Sequence, residues 1–218
     1  MSAARSAILD GIRSALGGTG VAAPAGDERA QTIPSRARPA RPVAAFVDNA
    51  ERAGCTVERV ADVDAVPAAV AAYLARHDLG VAARRAPEPF LETIPWPRRS
   101  ALAIETGPVR DGDRVAITAA AAGVAETGTL VLSSGRGRAI LNAFLPEAHI
   151  VILGSGDVVG SYEESWTRLG AAGADKEWPP RAVTWVTGPS RTADIEQTLI
   201  VGVHGPRRVH VIVVGDEA

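Results

Sequence analysis

Cysteine is almost absent from this chain: Cys55 stands alone among 218 residues. One thiol cannot close an intramolecular disulfide, and it cannot by itself hold an iron–sulfur cluster, which needs about four thiolates. Aromatic residues make up only 4%, so stacking platforms for bases are scarce. Neither sign of charge dominates, and a formal net charge of -2 gives no electrostatic argument for nucleic acid or an anionic membrane surface. No stretch approaches the ~18 uninterrupted apolar residues of a membrane span, and no long apolar core follows a basic start at the N-terminus. A cytoplasmic location is the resulting expectation. Phosphate-loop, zinc-ligand and serine-hydrolase motifs are missing too. His77, His149, His204 and His210 fall at no recognisable ligand spacing, so no metal site is expected.

What is present is the composition of a globular protein, with 46% hydrophobic and 22% charged residues. The length suits one generous domain or a domain with an appendage. Residues 1–16 carry Ile8, Leu9, Ile12 and Leu16 at helical spacing. Residues 17–42 cluster Gly, Pro, Ala and charge without an apolar period, which reads as a linker or arm. From residue 43 onward helical and strand patterns alternate, the signature of a parallel α/β sheet over 43–218. A helix from Val43 leads to a strand at 55–60, and a helix from Pro67 leads to a strand at 79–83. Residues 87–99, with Pro95-Trp96-Pro97, read as loop, Trp96 serving as a packing plug. Further strands are expected at 115–118, 129–132, 149–153 and 209–214, and a helix near 163–169.

The most detailed stretch is 187–206. An apolar run at 182–186 reaches Gly188-Pro189, and a short helix is expected from Ser190 or Thr192, stopped by Gly202. Ser190, Arg191, Thr192, Asp194 and His204 are the candidate site residues here, in loops of the kind that carry function in α/β sheets. The hydroxyls and Asp194 serve equally well as caps and dipole partners of that helix. A second candidate group is Glu126 with Thr127, Gly128 and Thr129, because a carboxylate between two apolar strands is costly unless paired or used. Arg136 and Arg138, set among Gly135 and Gly137, suit a carboxylate or phosphate at a helix start, or form a solvated basic face. The glycines at 154, 156 and 160 follow a strand and precede a helix, but their spacing is one residue too long for a dinucleotide fingerprint.

Ala125-Glu126-Thr127-Gly128-Thr129-Leu130, Leu145-Pro146-Glu147-Ala148-His149-Ile150, the Gly188-Pro189-Ser190-Arg191-Thr192-Ala193-Asp194 block and Gly202-Val203-His204-Gly205-Pro206-Arg207 together resemble the lactate utilization protein C family. Its conserved unit is called the LUD domain. The resemblance implies a Rossmann-like three-layer α/β/α sandwich of the sugar-phosphate isomerase and coenzyme A transferase type. It also implies an accessory role beside iron–sulfur partner subunits that oxidise L-lactate to pyruvate, with no cofactor bound by this chain and a homo-oligomer allowed. The fold analogy extends to a stand-alone enzyme acting on a small phosphorylated or thioester substrate. On either reading, Arg191 or Arg136 would bind a small carboxylate, and Glu126 or His204 would move a proton across a shared crevice.

Overall fold

The computed structural model describes residues 3–15, 39–96, 102–135, 140–172, 180–192 and 200–216. The chain divides into two compact units, Met1–Arg36 and Ala37–Ala218. In the first, helix α1 (Ala3–Ala15) exposes Ile8, Leu9 and Ile12. Leu16 of the expected helix and residues 17–38 of the arm expected at 17–42 lie outside the described residues.

The second unit begins with α2 (Pro42–Arg52), which starts with proline at its first turn, where the missing N–H costs nothing. It buries Val43, Phe46 and Ala50, spaced for one helical face. The helix ends in a Schellman closure: Gly54 has φ +95° and gives its N–H to Glu51, while Cys55 gives its N–H to Ala50 at 3.0 Å. Strand β1 (Thr56–Val60) follows, then α3 (Val66–Arg76), β2 (Ala82–Arg85), the single-turn α4 (Pro89–Glu92) and β3 (Ala103–Thr106). Next come β4 (Val115–Ala119), β5 (Ala122–Val124), β6 (Thr129–Ser133), β7 (Ala148–Gly154) and β8 (Val158–Val159). The chain closes with α5 (Tyr162–Ala172), β9 (Val183–Val186), β10 (Arg191–Thr192), β11 (Ile200–Val201) and β12 (Arg208–Val214).

Six strands form one all-parallel sheet in the order β1-β12-β7-β4-β2-β3. Its central strands are apolar on both faces, as a sheet covered on both sides requires. Ile150 and Ile152 of β7, with Ile212 of β12, face a cluster made with Val66, Val70, Tyr73 and Leu74 of α3. Val151 and Leu153, with Val209, Val211 and Val213, face the opposite way onto Phe46 and Val43 of α2. Each such side chain withdrawn from water contributes roughly 1.5–3 kcal/mol before entropy is charged against it. The α/β sandwich is thus the expected one.

The far layer holds more than helix. β8-β5-β6-β9 make a second, largely antiparallel sheet beside α2. Leu130 and Leu132 of β6 turn inward to the α2 cluster, whereas Val131 faces outward with Ala122, Val124 and Leu169 of α5. Gly128, at φ +68°, lets the β5–β6 turn lie directly on the backbone of α2; a Cβ there would collide with the Ala50 amide.

Several expected elements shift. The strand expected at 79–83 runs from Ala82 to Arg85, because α3 closes through Asp78, at φ 51°, with the Leu79 N–H given to Leu74. Residues 87–99 include the turn of α4, against which Trp96 donates its indole N–H to the Leu91 carbonyl at 2.8 Å. A helix beginning at Ser190 is excluded, whereas the run that Thr192 would cap, 193–199, lies outside the described residues. Arg191 and Thr192 are extended and pair antiparallel with Val201 and Ile200, an arrangement that β-branched residues favour.

Candidate functional site

The loop after β9 is tied down on three sides. Ser190 donates its N–H to Pro206 at 2.9 Å, and its carbonyl accepts the Gly202 N–H at 2.9 Å. Arg191 reaches across to α2 and donates from Nη2 to the Ala53 carbonyl at 2.7 Å. That oxygen belongs to the helix end, where a guanidinium also complements the dipole. A Cβ at Gly54 would strike this guanidinium, so the glycine that closes α2 also makes room for Arg191.

These ties shape an open pocket of about 240 Å³ lined by Ser190, Arg191, His204, Thr187, Trp185 and Phe144 among others. Phe144 precedes β7, and Gly205-Pro206 precede β12. The pocket therefore sits at the amino ends of the parallel strands, opposite the carboxyl ends at which doubly wound sheets usually bind ligands. Its lining is mixed, with Phe144 and Trp185 aromatic and Ser190, Arg191, Thr187 and His204 polar. The volume suits a ligand of a few heavy atoms.

Thr187 connects the pocket to the β5–β6 turn. Its Oγ1 lies 2.7 Å from that of Thr129, which is itself 2.7 Å from Thr127 Oγ1 and 2.9 Å from the Tyr162 hydroxyl. Thr127 completes a ring by contacting the Tyr162 hydroxyl at 3.1 Å. Tyr162 is held in place by stacking on Trp185, with ring centroids 4.7 Å apart.

The expected site residues thus separate. Ser190, Arg191 and His204 share one pocket. Thr127 and Thr129 approach it only through Thr187. Thr192 is buried in β10, and Gly128 packs on α2. Glu126 is not among the pocket-lining residues; its Oε1 accepts the Tyr162 backbone N–H at 3.4 Å, at the start of α5. Arg136, Arg138 and Asp194 lie outside the described residues. Thr187, Tyr162 and Trp185 escaped the sequence reading, although Thr187 stands next to Gly188 in the stretch that drew attention.

The glycine loop before α5 takes no dinucleotide form. After a short turn at Ser155–Asp157 the chain enters β8, and Asp157 pairs with Arg168. The amides at the start of α5 already face protein oxygens: Glu126 takes Tyr162, Ser161 takes Glu164, and Glu164 takes Gly160. A pyrophosphate would have to displace them. Among the described residues no group of His, Cys, Asp and Glu is placed to hold a metal ion, and no helix is long and apolar enough to cross a membrane.

The stretch from β4 to β12, which builds this pocket, matches a known family. Residues 113–214 match the LUD domain. The chain is also similar to curated proteins named lactate utilization protein C. The one from Macrococcus caseolyticus is 36% identical over 109 residues, covering 50% of this chain and 47% of that protein. The one from Halalkalibacterium halodurans is 39% identical over 102 residues, covering 47% and 44%. The one from Deinococcus radiodurans is 37% identical over 101 residues, covering 45% of each. The aligned stretch spans about half the length of these relatives. A crystal structure of a DUF162 family protein from Deinococcus radiodurans has the same fold, with a TM-score of 0.58 at 22% identity, covering 81% of this chain and 98% of that one.

Proposed function

We propose that this chain serves lactate utilization as a component that binds a small carboxylate, beside partner subunits that carry the iron–sulfur centres. The observation that supports it most is the convergence of Ser190, Arg191 and His204 on one pocket within the stretch that matches the LUD domain. Arg191 is held by the Ala53 carbonyl through Nη2, and a guanidinium has further N–H groups that suit a carboxylate. Ser190 adds a hydroxyl, and His204, exposed at the rim, exchanges a proton with the ligand or with solvent. With Cys55 as the single thiol, electron transfer through an iron–sulfur cluster falls to partners. Glu126 is given no part in this reading, because its carboxylate accepts the Tyr162 amide at the start of α5 and does not line the pocket.

The test is a mild affinity purification of the chain from its own cells grown on L-lactate, with the eluate assayed for iron, bound proteins and lactate-dependent dye reduction. Co-purification of cysteine-rich, iron-containing proteins with that activity is expected. Recovery of the chain alone, without iron or activity, would overturn the accessory role.

A further inference from the structure

The hydroxyl ring behind the pocket fixes which way Thr187 must point its proton. Three hydroxyls, those of Thr127, Thr129 and Tyr162, contact one another pairwise at 2.7, 2.9 and 3.1 Å. A hydroxyl carries one proton and two acceptor lone pairs. Three mutual hydrogen bonds use all three protons of the ring, whichever way round the ring is directed. The fourth contact, from Thr129 Oγ1 to Thr187 Oγ1 at 2.7 Å, has only one proton left to fill it, that of Thr187. With all four contacts bonded, Thr187 is the one that donates inward. Thr129 is completely buried, so leaving one of its hydroxyl contacts without a proton is costly, which favours the arrangement that fills all four.

We infer that Thr187 is a specificity-determining residue of the pocket, an acceptor-only hydroxyl that selects a carboxylate bearing a neighbouring hydroxyl over its keto counterpart. Thr187 is exposed and lines the pocket with Arg191 and Ser190. With its proton committed to Thr129, it offers the ligand lone pairs alone. A ligand hydroxyl donates to them; a keto oxygen meets them lone pair to lone pair, and an unsubstituted carbon leaves them unpaired. The inference rests on the carboxylate reading of the pocket and adds the discrimination between ligands.

The experiment is a chemical-shift titration of the isotopically labelled chain with L-lactate, pyruvate and propionate at one ionic strength, repeated for Thr187→Val and Thr187→Ser. The wild-type chain should bind L-lactate roughly tenfold more tightly than the other two, the equivalent of one well-made hydrogen bond. Thr187→Val should bind all three alike, and Thr187→Ser should retain the preference, with the amide spectrum confirming that each variant is folded. Equal affinities in the wild type, or a preference that survives Thr187→Val, would overturn the inference and leave the carboxylate pocket standing. No binding of any of the three would overturn both.

Discussion

Arg191 and Ala53 are joined by a 2.7 Å hydrogen bond between loop and helix end. The pocket wall and the C-terminus of α2 are therefore one mechanical piece, and the residue expected to bind a ligand also closes a helix.

Arg191→Ala should show both roles. The variant should lose about 1 kcal/mol of stability in urea denaturation, modest because the side chain is exposed. It should also lose carboxylate-induced chemical shifts at Ser190 and His204. Arg191→Lys should recover part of the stability and little of the binding, since a lysine cannot present a planar fork. Unchanged ligand shifts in Arg191→Ala would remove this residue from the site.

Gly128→Ala should be among the most damaging single methyl additions in the chain. The new Cβ enters the space of the Ala50 amide, and φ +68° strains any side chain. A loss of about 3 kcal/mol or more is expected from the two effects together. A midpoint in urea within error of the wild type would mean that the turn and α2 separate at little cost.

Cys55 should be silent toward alkylating reagents in the folded protein. It is buried, and burial pushes its thiol up to about 11, so almost no thiolate exists at neutral pH. Iodoacetamide should label it only at a rate set by unfolding, rising with added urea. Rapid labelling in buffer would show that the packing around β1 opens far below the global transition.

Stability should fall with acid across a defined window. Burial lowers the pKa of both His149 and His210 to about 4 from the ordinary 6.5. Above pH 6.5 both states are neutral and the full stability is present; as pH drops toward 4 the unfolded chain takes up protons that the folded chain refuses. The loss is at most about 3 kcal/mol per ring. Asp113 and Glu147, held below the usual carboxylate range by hydrogen bonds from Arg84 and Arg114, add to it only at lower pH. Urea midpoints at pH 7 and 4.5 should differ markedly in the wild type and less in His149→Gln. A flat profile would show that neither ring is kept neutral by the fold.

How much could be read beforehand depended on how local the signal was. The runs at 115–118, 149–153 and 209–214 declared buried strands because each is apolar on both faces, and α2 declared itself by placing Val43, Phe46 and Ala50 on one side. Ser190 misled as a helix start, because Arg191 and Thr192 after it are extended and pair with Val201 and Ile200. Glu126 drew attention as a stranded carboxylate, but the Tyr162 amide that it accepts lies 36 residues away.

By itself the sequence determined an alternating α/β pattern with a parallel sheet, a single cysteine, and the punctuated stretch at 187–206 around which the pocket is built. Those follow from periodicity and composition, which act over a few residues. Only the tertiary structure decided that Ser190, Arg191 and His204 line one pocket while Glu126 faces α5, and that Thr187 meets Thr129 across 58 residues of chain. A hydroxyl has no pattern in sequence that names its partner; packing of the second sheet brings the two together, and the count of protons then assigns their directions.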